Sequence, residues 1–550
     1  MSPSPSPSLS RIPFGAGGDD REVHDDTSSS RSDLGVGGGT AMRLVVPLQG
    51  VVQGRGGLVL GSVIPCALFY FFQLYLRRKK PSSSPPTSPF PSSGDLPSLS
   101  VIPRTTSRSF FSPRSGSLPA PVSSHTAAAN KSDACPLSAG HRRFVDDPYH
   151  PTSNPDGVIQ LGLGNNQLLL DLVRDWLERN VNASLLKGRN EDMGLGGMET
   201  YLQYDGLMDL KIAVADFMGQ VLQGSVSFSP SQMVLTAGAA SAIETLCFCL
   251  ADPGQAILVP SPYDSEYEMN IKWRTSVDVI AVPCRSTDSF NISVAAIERA
   301  YNQAKKRGVK VRAILFSNPS NPVGNLLKRE TLYDLLEFIT EKNIHLIFDE
   351  LLVGSVHEEN NTCMNIAKIL DAEDFDKSRV HMIYRLSEDL SLPHIHVGVI
   401  YSLNDSILAS AAKFARFSSI SVLSQRVLVT MLSDKRFILE FLHLSRARLI
   451  NMHRLFARGF KDLNIDCVNG DGGFRCWVDL SKFLRSYSVK GELEMWEKLL
   501  DSAKVNMMPG SSCRCIEPGW FRLCFAALSE NDVDVVMGRI RRAIDEGHKI

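Results

Sequence analysis

Cysteine is sparse in this sequence, with 11 scattered among 550 residues. That is too few for a disulfide scaffold. The closest pairs, Cys247 with Cys249 and Cys513 with Cys515, are single CxC steps with no second pair and no histidine nearby. They read as reduced thiols facing a cytosol-like compartment, and no metal site is expected. Neither sign of charge is in excess: 58 Lys+Arg face 59 Asp+Glu, a formal charge of −1. The broad basic field of a nucleic-acid binder is therefore missing. Internal repeats are absent. A composition of 43% hydrophobic and 21% charged residues rules out a wholly disordered chain, a collagen-like fibre and a multi-span membrane protein.

Long apolar runs are also missing, with one exception. Gly57 to Leu76, GLVLGSVIPCALFYFFQLYL, carries no charge over 20 residues and is followed by Arg77, Arg78, Lys79 and Lys80. A helix of that length crosses ~30 Å of hydrocarbon. A buried core helix or a cleaved signal peptide would give a similar run. The late start and the four closing cations favour a transmembrane anchor. The expected placement is thus membrane-anchored and single-pass, with the folded part facing the cytosol. Residues 1–56 read as a disordered N-terminal extension, because Ser, Pro, Gly and Asp cannot bury enough surface to offset ordering. Residues 77–143 are again Ser/Pro-rich and read as a linker.

Globular texture runs from Phe144 to the C-terminus. There, apolar strand-like runs alternate with helical spacing. Val311 to Ser317 ends in the turn Asn318-Pro-Ser-Asn-Pro-Val-Gly324, Lys328 to Asn343 has helical periodicity, and Ile344 to Phe348 closes on Asp349-Glu350. Gln232 to Thr236 followed by Ala239 to Leu250 reads as strand, turn and helix. Such alternation predicts an α/β fold with a mostly parallel, doubly wound sheet. Long helices after Asn404 and the segments FRCWVDL (474–480) and FRLCFA (521–526) predict a smaller α+β part.

Eight segments in order carry a family resemblance: GVIQLGLGNNQL (157–168), YLQYDGL (201–207), LTAGAASAIETLCFCLADPG (235–254), LVPSPYDSEYEMNIKWRT (258–275), SNPSNPVG (317–324), FDELLVGS (348–355), YRLSEDLSLPHIHVG (384–398) and PGSSCRCIEPGWFRLCFA (509–526). Together they resemble the plant 1-aminocyclopropane-1-carboxylate (ACC) synthases and their aminotransferase-like relatives. The run at 42–76 resembles an extension of the aminotransferase-like branch. The resemblance implies fold type I, pyridoxal phosphate as cofactor, a dimer and an amino-acid substrate. It also implies an arm and part of the small domain at 144–200, a large cofactor domain at 201–440 and a small domain at 441–550.

Such a site needs donors for the phosphate, a carboxylate for the pyridine nitrogen, a lysine for the Schiff base and a cation for the substrate carboxylate. By resemblance, Asp349 is the pyridinium partner, Asn321 bonds the ring hydroxyl, and Ala239, Ala240 and Ser241 open the phosphate-facing helix. Arg522 and Asn165 fall at substrate positions, and Tyr204 at the position that reaches the partner subunit. Outside these motifs the same residues read as a strand-end Asp, turn chemistry, small residues for helix packing and a salt bridge.

The decisive positions depart from the pattern. The family's Ser-Leu-Ser-Lys-Asp is here Arg385-Leu386-Ser387-Glu388-Asp389. Glu388 stands where the Schiff-base lysine belongs, and no lysine lies between Lys377 and Lys413. A carboxylate cannot form an imine. Arg385 replaces a phosphate-binding Ser, and His396 replaces the phosphate-fork Arg. Leu352 replaces a ring-bonding Tyr, Asp264 a stacking aromatic and Ala240 a phosphate-binding Thr. Asn165 replaces the Glu of true ACC synthases, while Ser391 and His394 replace glycines.

Losses concentrated in the cofactor pocket lead to a tethered ACC synthase-like protein with impaired catalysis. It would hold pyridoxal phosphate non-covalently if at all, and act as a homodimer or as a heterodimer with a related aminotransferase. An aminotransferase of altered activity is the alternative, and a true ACC synthase the third. A nucleic-acid partner is not expected.

Overall fold

The computed structural model describes residues 121–123, 126, 135–164, 166–186, 203–352, 366, 368–369 and 375–545. All belong to the compact unit Ser115–Ile550. A seven-stranded sheet organises it. Its strands are β1 (Met233–Thr236), β2 (Ala256–Ser261), β3 (Asp278–Pro283), β4 (Val311–Asn318), β5 (His345–Glu350), β6 (Val380–Tyr384) and β7 (Gly398–Ser402), in the spatial order β1-β7-β6-β5-β4-β2-β3. Only β7 runs against its neighbours.

These strands are apolar almost without interruption because both faces are buried. Alternate residues feed two cores. Leu258, Ile314, Phe316, Leu346, Phe348 and Met382 enter one, while Ile257, Val259, Ala313, Leu315, Ile347 and Ile383 enter the other. The second core is covered by the helices Ala239–Leu250, Tyr267–Thr275 and Asp405–Phe414.

A smaller sheet of four antiparallel strands lies along Asp466–Cys467, Arg475–Asp479, Trp520–Cys524 and Met508–Pro509. Nearby, Ile159–Gln160 pairs in parallel with Val505–Asn506. The helix Lys435–Asp462 ties the two parts together. Its Phe437, Ile438 and Phe441 sit in the large core, and its Leu449, Met452, Phe456 and Phe460 in the small one.

Helix Ala239–Leu250 has the bounds its spacing predicts. The helix expected at 328–343 is Arg329–Lys342. Beyond β6 the chain does not stay extended to Leu386 but turns into a short helix, Leu386–Asp389. Helix Pro136–Asp146 begins inside the stretch read as linker, started by the Pro at its first position and packed through Ala139 and Phe144 on the small core.

Placement at a membrane is corrected. Among the described residues no helix is long and apolar enough to cross one. The longest, Lys435–Asp462, buries one apolar face and carries many charged residues along the rest of its length. The run 57–76 lies outside the described residues, so the anchored, cytosol-facing arrangement is withdrawn.

Two histidines sit in the large sheet. His345 Nδ1 lies 3.0 Å from His381 Nε2, and His381 Nδ1 lies 2.9 Å from Ser402 Oγ. Burial, then the charge of His345, pushes His381 down to about 3. Burial, with Arg312 and Arg379 adding and Asp376 opposing, pushes His345 down to about 4. An unfolded histidine titrates at about 6.5, so below that pH the unfolded chain takes up protons that the fold refuses. Stability is therefore full above pH ~6.5 and falls as the pH drops toward the folded values. The expected loss is about 2 kcal/mol or more by pH ~5. Urea unfolding of the protein and of His381→Asn at both pH values checks this. An unchanged pH slope in the variant would refute the assignment.

Candidate active site

Every parallel strand of the large sheet delivers its C-terminal end to one edge, where open α/β folds place their ligands. Asp349 arrives on β5, Asn321 on the turn after β4, Asp264 on the loop after β2, and Arg385 immediately after β6. Register sets Glu350 opposite Tyr384, so Arg385 follows directly beside the Asp349-Glu350 strand end. The small sheet adds Arg475 and Arg522 from neighbouring strands.

These side chains meet. Arg385 donates from Nε to Asp349 Oδ1 at 2.8 Å and from Nη2 to Asp349 Oδ2 at 2.5 Å, a two-pronged grip. Its Nη2 also reaches Asp264 Oδ2 at 3.1 Å, and its Nη1 lies 3.4 Å from Glu388 Oε2. The Tyr267 hydroxyl donates to Asp349 Oδ2 at 2.6 Å. Arg475 Nη2 donates to Glu388 Oε1. Arg522 uses Nη1 on Asn321 Oδ1 at 3.1 Å and Asp264 Oδ1 at 3.4 Å, and Nη2 on the Gly162 carbonyl at 2.9 Å. Asn321 Nδ2 donates to Asp264 Oδ2 at 3.0 Å.

Three guanidiniums thus face three carboxylates, all nearly buried: the Asp349 side chain is 0% exposed, Asp264 6%, Glu388 12% and Arg385 16%. The balance is what makes such burial tolerable, since an unpaired buried charge is strongly unfavourable. Burial pushes the Asp264 carboxyl up, but Arg385, Arg522 and Arg475 outweigh it and bring it down to about 2. Burial first, then the charge of Asp349, raises the Tyr267 hydroxyl well above the usual phenol range.

Of the residues picked out by sequence, Asp349, Asn321, Arg522, Arg385, Asp264 and Glu388 lie in this one network. Others lie elsewhere. The Leu352 side chain is buried in the large core, and its backbone N–H donates to Asp389 Oδ2 at 2.9 Å. His396 and His394 are exposed, their rings 6.4 Å apart. Tyr204 is exposed, with the Arg416 guanidinium 5.1 Å from its ring centre. Ser391 keeps a left-handed backbone, φ 56°, that glycine adopts freely and serine adopts at a cost. Asn165 lies outside the described residues.

Ala239, Ala240 and Ser241 form the first turn of their helix, after Gly238 at φ 91°. A side chain on Gly398 would collide with the Gly238 backbone at 2.5 Å, so glycine there permits β7 to approach the helix start. Ser241 Oγ donates to the Ala237 carbonyl.

Sequence reasoning passed over Arg475, Tyr267, Asn166 and Gly164. Arg475 could have been found as a lone cation inside an apolar strand. Asn166 Nδ2 donates to the Glu388 carbonyl at 3.0 Å. A side chain on Gly164 would strike Arg475 Nη2 at 2.2 Å, so this glycine leaves room for the Arg475–Glu388 pair.

Three requirements of a pyridoxal phosphate site are unmet by these residues. Asp349 has both oxygens engaged by Arg385 and Tyr267. Glu388, which the resemblance sets at the lysine position, is a carboxylate already paired with two arginines. Arg522, the expected substrate cation, has its Nη1 turned to Asp264 and Asn321 and its Nη2 to the Gly162 carbonyl. The arrangement does not fit the cofactor.

The fold nonetheless has close counterparts. A family model for class I and II aminotransferases matches residues 158–540. A protein of Oryza sativa subsp. japonica named 1-aminocyclopropane-1-carboxylate synthase 6 is 54% identical over 514 residues, covering 92% of this chain and 94% of its own. An Arabidopsis thaliana protein described as a probable aminotransferase is 49% identical over 502 residues, covering 91% and 99%. Among solved structures, aspartate aminotransferase of Thermus thermophilus matches with TM-score 0.61 at 18% identity, covering 77% of this chain and 99% of its own. That of Thermotoga maritima matches with TM-score 0.58 at 21% identity, covering 77% and 100%. Both show the fold, type I of the pyridoxal phosphate-using aminotransferases. By the family model and these relatives, the chain belongs to the class I and II aminotransferases, a family of typically dimeric, pyridoxal phosphate-using proteins, and within it to the ACC synthase-like members.

Proposed function

We propose that this chain is an ACC synthase-like member of the aminotransferase family whose catalysis is impaired, acting as a protein partner of itself or of an active relative. One observation carries the reading. Glu388, at the position the family gives to its Schiff-base lysine, is a carboxylate clamped by Arg475 and Arg385. It has no nucleophilic nitrogen to offer an aldehyde, and its charge is already committed. General acid–base work at such a site typically contributes 10²–10⁴-fold, and this geometry supplies no free base for it. The exposed Tyr204, at the position that reaches a partner subunit in the family, supports the pairing.

A second reading has its own observation. Asp349, Asn321 and Arg522 are held together in one network, and the rice relative is named as a synthase. On that view the chain is an aminotransferase of altered activity, or an ACC synthase.

Titrating the full-length protein with pyridoxal phosphate, with and without borohydride, and then adding amino acids separates the two. Impairment predicts no reducible adduct and no amino-acid-dependent conversion of the cofactor to its amine form. Conversion by any amino acid would end the first reading.

A further inference from the structure

Resting on the reading above, we propose that Arg385 stands in for the cofactor's protonated pyridine ring, so that the site is closed and neutralised by its own side chains and pyridoxal phosphate is excluded. The geometry is specific. Asp349 is the carboxylate the family uses to hold a cationic ring nitrogen. Here it receives a cation from within the chain, through two near-parallel bonds at 2.8 and 2.5 Å. Such two-pronged contacts are among the strongest charge-assisted hydrogen bonds, and they occupy both oxygens of the carboxylate. The Tyr267 hydroxyl adds a third bond at 2.6 Å.

The remaining nitrogen of the guanidinium is also engaged. Nη1 faces Glu388, and Nη2 is shared between Asp349 and Asp264. Arg385 therefore touches all three carboxylates, while Arg475 and Arg522 each hold one of them. A serine at this position is too short to reach any of them.

The lesion is then double. Glu388 removes the imine-forming amine, and Arg385 removes the place for the ring. Restoring lysine alone would set four cations, Arg385, Arg475, Arg522 and the new lysine, against Asp264 and Asp349. It would leave the ring position filled. Restoring both family residues, Arg385→Ser with Glu388→Lys, removes the one cation bonded to Asp349 and opens that place to a ring nitrogen.

The test compares four full-length proteins: the native chain, Glu388→Lys, Arg385→Ser and the double variant. Pyridoxal phosphate binding is followed by absorbance, by borohydride-trapped adduct and by thermal midpoint. The native chain and Glu388→Lys should show no saturable binding and no shift of midpoint. The double variant should bind saturably and give a reducible adduct, with affinity at least about tenfold above either. Arg385→Ser should melt lower than the native chain by on the order of 5 °C, because buried carboxylates lose their partner. Added cofactor should recover part of that loss.

A reducible adduct in Glu388→Lys within tenfold of the double variant would overturn the proposal. So would saturable binding by the native chain, or a folded double variant that does not bind. Should the double variant fail to fold, Arg385→Gln decides: a cofactor-dependent rise in its midpoint, absent from the native chain, supports the proposal, and no rise overturns it. Native binding without amino-acid conversion would sink this inference while leaving impaired catalysis intact, so the two can fail separately.

Discussion

Asp264→Asn should destabilise the protein by roughly 3–5 kcal/mol in equilibrium urea unfolding. The carboxylate is nearly buried and answers three donors at once: Arg385 Nη2, Arg522 Nη1 and Asn321 Nδ2. Its removal turns a balanced set of charges into one with a surplus buried cation. An asparagine of the same shape cannot repair this, since turning its oxygen toward one guanidinium aims its NH₂ at another donor. Because Asp264 titrates at about 2 in the fold, below an unfolded aspartate near 3.9, its contribution is full above pH ~4. It is lost as the pH falls through the folded value.

A control separates burial from pairing. Asp278 pairs with Lys272 at 2.7 Å, but both side chains are about half exposed. Asp278→Asn should therefore cost less than ~1 kcal/mol. Adding Arg522→Gln to Asp264→Asn removes one cation with one anion, so the double variant should lose less than the sum of the singles by ~1 kcal/mol or more. Strict additivity, or a cost of Asp264→Asn below 1 kcal/mol, would show that the network is not charge-limited.

Trp477→Ala should cost a similar ~3–5 kcal/mol for a different reason. The indole is completely buried, stacks on Trp520 at 5.8 Å with 10° between planes, and meets the edge of Phe290 at 6.1 Å. Phe290 follows the large sheet's β3, whereas both tryptophans belong to the small sheet, so the cluster joins the two parts. Its removal opens a cavity that rigid strands cannot collapse. Trp477 also lies opposite Arg522 in register and two residues from Arg475, so the loss should loosen both arginines. Trp477→Phe should be much milder, at about 1–2 kcal/mol. It keeps an aromatic face and deletes an indole N–H that is buried without a partner. Equal costs for the two variants would argue against a packing role.

The two predictions separate what the family fold retains from what this chain has changed. Tryptophan packing, strand order and the 28-residue helix joining the cores serve the fold. The arginine–carboxylate network lies at the site, where its charged groups are engaged with one another.

Much was legible in the sequence. Apolar runs of strand length alternating with helical spacing announced a parallel sheet buried on both faces. By resemblance, Asn321 in the Asn318-Pro-Ser-Asn-Pro turn and Asp349 at a strand end were expected at one site, and the fold brings both into one network. By resemblance, a single letter, Glu388, sets a carboxylate where a Schiff-base lysine is expected, and a carboxylate offers no amine for an imine. The end of β6 was less legible. The apolar run of β6 stops at Tyr384, and the polar segment Arg385 to Asp389 that follows turns helical.

What the sequence by itself determined, then, is the fold and its family, because these follow from periodicity and from motifs that stand in family order. The reach of Arg385 to Asp349 was decided by the tertiary structure alone. So were the recruitment of Arg475 from a strand 87 positions beyond Glu388 and the burial of Leu352 in the core. Each depends on distance and direction among residues remote in the chain. A one-dimensional pattern records a charge, but only the folded chain shows which opposite charge neutralises it.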